Sequence, residues 1–226
     1  MHHVLGLNDI NENIKKMEYA VRGPILDRTV ELTQQLKAGV QLPFDEVIRA
    51  NIGDCHMMGE RPITFIRQVL AGCLNPNAAY DDPNLPDDVK ERIRLLLSYC
   101  GGQSVGSYSA SAGVEIIRRH VAEFIEQRDG VASDWQNVIL TSGASEGVKC
   151  LLTFLNTQST DCIPTGVMVP IPQYPLYSAT ISENGMHLIS YYLDEENEWA
   201  LDINELDRAL RETQAICKPK AIGVYT

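Results

Sequence analysis

No apolar run in this chain exceeds the length of a strand, and Met1 to Leu7 holds neither an apolar signal core nor an Arg-rich amphipathic helix. No membrane span or targeting peptide is visible, so the expected location is cytoplasmic, or mitochondrial if an upstream transit peptide was removed. Basic residues are scarce too: 19 Lys and Arg face 30 Asp and Glu, a net charge of −11. That balance argues against nonspecific adhesion to nucleic acid or an anionic membrane and leaves small molecules and other protein chains as partners. The cysteines, at 55, 73, 100, 150, 162 and 217, show no C-x-x-C spacing and read as buried free thiols in a reducing compartment. His56, His120 and His187 form no H-E-x-x-H or comparable set, His2 and His3 read as a disordered or appended end, and no metal site is expected. Internal repeats are absent, and the Gly-rich loop from Gly101 to Gly106 lacks the Lys and the spacing of a P-loop.

What is present suits a globular chain, since 226 residues at 44% hydrophobic content can bury a large core in one or two domains. Lys16 to Val21 reads as a short extended segment, and Gly23-Pro24 opens a helix carrying Ile25, Val30, Leu32 and Leu36 toward a stop at Gly39. Glu46 to Asn51 reads as a strand. Pro62 opens a second helix with Ile66, Val69, Leu70 and Cys73 on its inner face, ended by Asn75-Pro76. Pro86 opens a third through Val89, Ile93, Leu96 and Leu97, and Ala112 to Arg128 is a fourth, with Val114, Ile117, Val121 and Ile125 inward and Asp129-Gly130 closing it. From Val138 the rhythm becomes strand and helix in alternation. Strands are expected at Val138 to Thr141, Gly166 to Pro170, His187 to Tyr192 and from Ala221; helices from Ala144 and from Asp202, whose Glu205 suits a reciprocal cap; and a short turn or helix after Pro175. Such alternation specifies an α/β sheet with covering helices.

The stretch Asn137 to Lys149 carries the chemistry. A β-branched run passes through Ser142 and Gly143 into a helix whose Val148, Leu151, Leu152 and Leu155 recur at helical spacing. The free N–H groups and positive dipole end of that helix face whatever lies above Gly143, which suits a phosphate. The same letters, Gly143-Ala144-Ser145-Glu146-Gly147, match the G-x-S-x-G nucleophile elbow of a serine hydrolase. That alternative needs a downstream acid and histidine, and the later histidine, His187, lies in an expected strand. Pro170-Ile-Pro-Gln-Tyr-Pro-Leu-Tyr177 follows a strand, and its prolines would present Tyr174 with little freedom, suited to lying flat on a planar ring. Beside a phosphate seat, such a loop points to a phosphorylated planar cofactor, although Tyr174 and Tyr177 could equally cap the core.

These blocks resemble the N-terminal part of the eukaryotic alanine aminotransferases, within the fold type I pyridoxal-phosphate enzymes. The resemblance runs through Val47 to Asp54, Pro62 to Phe65, Gly106 to Gly113, Thr141 to Gly147, Gly166 to Ala179 and Tyr191 to Asn197. It implies an α/β fold: a truncated large domain of a fold type I PLP-transferase, mostly parallel sheet with covering helices, plus an N-terminal helical segment of the small domain. Residues 1–61 would be the N-terminal arm and small-domain segment, and 62–226 a partial cofactor-binding large domain. The cofactor implied is pyridoxal 5'-phosphate, with Gly143, Ala144 and Ser145 on its phosphate and Tyr174 on its pyridine ring. Tyr108 would reach the phosphate of a neighbouring subunit in a homodimer, and Ile52 and Gly53 would flank the substrate. Amino acids and 2-oxo acids are the implied substrates, and alanine with 2-oxoglutarate giving pyruvate and glutamate is the implied reaction. None of the seven lysines matches the family's Schiff-base lysine, which is expected beyond Thr226, as are the acid that pairs with the pyridinium nitrogen and the substrate-clamping arginine. The chain is thus expected to be inactive alone, or to be a noncatalytic interaction fragment. Family topology would place Val138 to Thr141 apart from the strands at Gly166, His187 and Ala221, leaving an open apolar edge at Ala221 to Thr226.

Overall fold

A computed structural model describes residues 6–19, 23–49, 53–157 and 162–222. It divides by packing into two compact units, Met1–Ile52 with Gly143–Thr226, and Gly53–Ser142. The chain begins the first unit with α1 (Glu12–Lys16) and α2 (Pro24–Lys37). Gly23, at φ 145°, turns the backbone into Pro24, and Gly39, at φ 81°, turns it out again. Met17 is extended, as expected of the segment from Lys16, although Lys16 itself closes α1. Ala20 and Val21 lie outside the described residues. The strand expected at Glu46 to Asn51 is not formed over Glu46 to Arg49, where no strand among the described residues takes up the backbone groups; Ala50 and Asn51 lie outside the described residues.

The second unit is helical: α3 (Thr64–Leu74), α4 (Pro76–Asp81), α5 (Asp87–Ser98) and α6 (Glu115–Asp129). Asp87 and Asp88 in the first turn of α5 oppose its positive end. Val89, Ile93 and Leu97, spaced by four, bury against Val69 and Cys73 of α3. The approach is close: a Cβ on Gly72 would lie 2.1 Å from Ile93 Cδ1. Of the face expected to be inward on α3, Ile66 and Leu70 are exposed instead. Pro76, expected only to end α3, opens α4, because proline is acceptable in a first helical turn. Gly130 caps α6 in the left-handed conformation, but the buried residues are Ile116, Arg118 and Ala122 rather than the expected stripe.

Arg118 also explains why Val138 to Thr141 is not a strand. Its buried guanidinium donates to the carbonyls of Val138 at 2.7 Å, Trp135 at 3.1 Å and Gln136 at 3.2 Å. Its charge rests 4.8 Å from the centre of the Trp135 ring. Leu140 N–H donates to Ala112 O. Val138 O and Leu140 N–H are thus met by a side chain and a loop, and no strand among the described residues forms a ladder with this segment.

The chain returns to the first unit with α7 (Ala144–Leu155), β1 (Thr165–Ile171), α8 (Leu176–Glu183), β2 (His187–Tyr192), α9 (Ile203–Thr213) and β3 (Lys218–Ile222). The strands pair in parallel in the order β2-β1-β3, with Gly166 opposite His187 and Ile171 opposite Tyr192. Alternation along β1 sends Val167 and Val169 to a core shared with Leu152 of α7 and Ile181 of α8. Met168 joins Ile189, Tyr191, Ala209 and Cys217 on the opposite face. A small parallel sheet with helices on both faces is the α/β arrangement the sequence implied.

Candidate functional site

In a parallel sheet, ligands gather at the carboxyl ends of the strands. Tyr174 lies there, three residues after the end of β1. α7 packs on the sheet and feeds the start of β1, so its own N-terminus lies toward the same end. Gly143 stands before the helix at φ 86° and ψ 172°. Nothing lies within 4 Å of where its Cβ would be, so glycine is required by the backbone angle and not by space. The first intrahelical bond runs from Gly147 N–H to Gly143 O at 3.3 Å, and the N–H groups of the first turn precede it. Gly143, Ala144 and Ser145 are all exposed. Small side chains, a hydroxyl and a positive helix end fit a phosphate. Glu146 already brings one acid to this turn, so the phosphate would be held by directed hydrogen bonds more than by net positive charge.

Tyr174 is 52% exposed while its hydroxyl accepts a hydrogen bond of 2.9 Å from Tyr19. The two rings meet edge to face, centroids 6.3 Å apart and planes at 81°. Tyr177 N–H donates to Tyr174 O, and Leu176 is buried, so the loop is anchored on its far side. Half of the Tyr174 side chain therefore remains open to a planar partner. Gln173 Oε1, in the same loop, is a buried acceptor without a hydrogen-bond partner among the described residues. A phosphate brings only acceptors near neutral pH, so Gln173 adds nothing to the phosphate assignment.

The first unit thus brings Gly143, Ala144, Ser145 and Tyr174 toward one end of its sheet. Tyr108 and Gly53 belong to the second unit. Tyr108 is fully exposed on a loop beside a cavity of about 320 Å³ lined by Tyr99, Ser104, Ser107 and Glu115. Gly53 has open space around its Cβ position and no positive φ, so nothing in the second unit requires glycine there. Ile52 lies outside the described residues. Lys149, behind the phosphate seat, sits 3.8 Å from Glu183 and is half exposed.

The hydrolase arrangement is not formed. Among the described residues no strand precedes Ser145, and His187 is the first residue of β2, at the amino end of the sheet. A strand of this length separates its two ends by roughly 17 Å. Burial lifts the thiols of Cys73 and Cys217, which makes them poor nucleophiles. No set of three metal-ligating side chains occurs among the described residues, and no helix there is long and apolar enough to cross a membrane. Tyr19 escaped the sequence reading because its tie to Tyr174 spans 155 positions and leaves no local pattern.

Residues 74–224 match the family Aminotransferase class I and II. Alanine aminotransferase 1 of Homo sapiens is 52% identical over 98% of this chain and 44% of its own length. Glutamate–glyoxylate aminotransferase 1 of Arabidopsis thaliana is 41% identical over 93% of this chain and 42% of its own length. The chain therefore spans less than half the length of these curated relatives. Among solved structures, an alanine aminotransferase from Pyrococcus furiosus superposes with a TM-score of 0.61 at 20% identity, over 88% of this chain and 40% of that one. An aminotransferase from Escherichia coli gives 0.61 at 19% identity, over 94% and 41%. At such identities these likenesses establish the fold.

Proposed function

The chain belongs to the class I and II aminotransferases, and from that premise we propose that the whole protein transfers the amino group of L-alanine to 2-oxoglutarate, giving pyruvate and L-glutamate. Pyridoxal phosphate, when bound, supplies the electron sink that makes the substrate α-proton labile. The N-terminus of α7, with Gly143, Ala144 and Ser145, holds its phosphate, and Tyr174 covers a face of its ring. Tyr108 donates to the phosphate of a second copy in a homodimer, and Ile52 and Gly53 border the substrate. These residues bind and orient; by the resemblance, none of this chain's seven lysines takes the role of moving the proton.

The observation that carries the reading is the 52% identity to an alanine aminotransferase over 98% of the chain, which includes the Gly143 turn and the Tyr174 loop. The test is pyruvate production from alanine and 2-oxoglutarate by the full-length protein supplied with pyridoxal phosphate. Turnover with alanine supports the proposal. No transfer from alanine, or a strong preference for glyoxylate as acceptor, overturns it. A cytosolic location belongs to the same proposal and is checked by fractionation against a mitochondrial marker.

A further inference from the structure

We propose that Tyr19 is a positioning residue for Tyr174, so that the N-terminal segment sets how firmly the cofactor ring is held. The inference rests on the reading of Tyr174 as the ring-stacking residue and extends it. The prolines at 172 and 175 and the bond from Tyr177 N–H restrain the Tyr174 backbone. They leave the side chain to choose among rotamers, and ordering a half-exposed side chain costs entropy at the moment a ligand stacks on it. The hydrogen bond from Tyr19 Oη, 2.9 Å long, fixes the far end of the ring, and the edge-on packing of Tyr19 limits its swing. Tyr174 is then presented in one pose before the cofactor arrives.

Tyr19 can do this because its own segment is seated. Asn11 Oδ1 accepts from Asn13 N–H at 2.9 Å to start α1. α1 packs along α8, the helix that begins two residues after Tyr174. Asn13 fits against the turn after α8: a Cβ on Gly185, at φ 64°, would lie 2.9 Å from Asn13 Nδ2. The backbone is extended at Met17, and the chain so delivered places Tyr19 against Tyr174. The arrangement ties a stretch that carries no catalytic chemistry to the ring that would lie on the cofactor.

The test uses the full-length protein with Tyr19→Phe, Tyr174→Phe, the double variant and Tyr174→Ala. Cofactor affinity is read by absorbance titration, and the pose of the bound ring by visible circular dichroism. Each Phe variant is expected to raise the cofactor Kd by roughly two- to tenfold, the span of one neutral hydrogen bond. The double variant should be no weaker than the weaker single one, because both remove the same bond. The dichroic band should change alike in all three. In the cofactor-free protein, Tyr174→Phe should speed hydrogen exchange at residues 12–19. If Tyr174→Ala weakens binding while Tyr19→Phe alters neither Kd nor dichroism, positioning by Tyr19 is wrong and stacking stands. Additive losses, or unchanged exchange at 12–19, also overturn it. If Tyr174→Ala changes neither signal, the stacking assignment itself has failed, and the role of Tyr19 falls with it.

Discussion

Glu205 stands three residues after Asp202, where a capping box would place its reciprocal acid, yet its carboxylate is engaged elsewhere. Asp202 Oδ1 accepts from Asn204 N–H at 2.8 Å, whereas Glu205 accepts from Tyr192 N–H at 2.9 Å and from Arg208 through two bonds of 2.6 Å. The residue therefore ties α9 to the end of edge strand β2. The Arg208 hydrogen bonds hold its carboxyl at about 2, with Tyr192 N–H assisting and partial burial opposing. Because the folded value lies below the ordinary 4.5, the carboxylate's contribution to stability is complete above that pH and fades as pH falls toward 2. The gap in urea midpoint between the parent and Glu205→Gln should thus be constant from pH 7 to about 5 and narrow by pH 3. A gap that persists undiminished at pH 3 would contradict the assignment. At the proposed cofactor seat, Ser145→Ala in the full-length protein should weaken pyridoxal phosphate binding by roughly tenfold or more, the effect of losing a hydrogen bond to a charged group. Tyr174→Ala should cost up to about tenfold through lost stacking. Equal affinities in parent and both variants, by titration, would remove both residues from the site.

At the scale of elements, Gly166 marks where β2 and the segment leading into β3 leave no room. A Cβ there would meet Cys217 Sγ at 2.5 Å and Ile189 Cδ1 at 2.8 Å, and the pairing with β3 shifts register between Gly166 and Val167. Gly166→Ala should cost about 1–3 kcal/mol by overpacking. Adding Cys217→Ala should recover part of it, because the nearest atom is removed. Strictly additive costs in urea denaturation would show that the clash is relieved elsewhere. The elements legible in the sequence are those with local punctuation: Gly143 before α7, Pro175 before a turn or helix at α8, Asp202 before α9, and the apolar and aromatic runs of β1 and β2. β3 begins at Lys218, ahead of the expected Ala221, because Pro219 and two lysines disguise it. Val138 to Thr141 and Glu46 to Arg49 misled for the opposite reason, since a β-branched run is only half a strand and its partner is a nonlocal matter. On α3 two apolar stripes compete, and composition cannot tell that Val69 and Cys73 face α5 while Ile66 and Leu70 do not. The Gly143 turn and the proline-flanked Tyr174 loop were legible as local features; Tyr19 and Arg118 were not, because each acts on residues far along the chain or through backbone carbonyls that carry no residue signature.

For the molecule as a whole, the 226 residues expressed by themselves are expected to give no pyruvate from alanine and 2-oxoglutarate, and to self-associate. The first expectation rests on the resemblance, by which none of the seven lysines is expected to match the family's proton-moving lysine. The second follows from apolar surface left open. On α3, Ile66, Leu70 and Leu74 recur every four residues at 50, 59 and 77% exposure, and on α7, Leu151 and Phe154 stand at 62 and 76%. The open apolar edge expected from Ala221 is a weaker cause, because Lys218, Pro219 and Lys220 occupy most of the strand, and lysine and proline discourage edge pairing. Residues 223–226 lie outside the described part of that edge. A net charge of −11 opposes contact between copies, and salt screens it, so association should rise with ionic strength. Sedimentation equilibrium should report masses above 25.1 kDa that grow with concentration and salt, and Leu70→Glu with Phe154→Glu should return the chain toward that value. A parent that stays at 25.1 kDa in high salt, or turnover by the purified chain, would refute the corresponding half of the prediction.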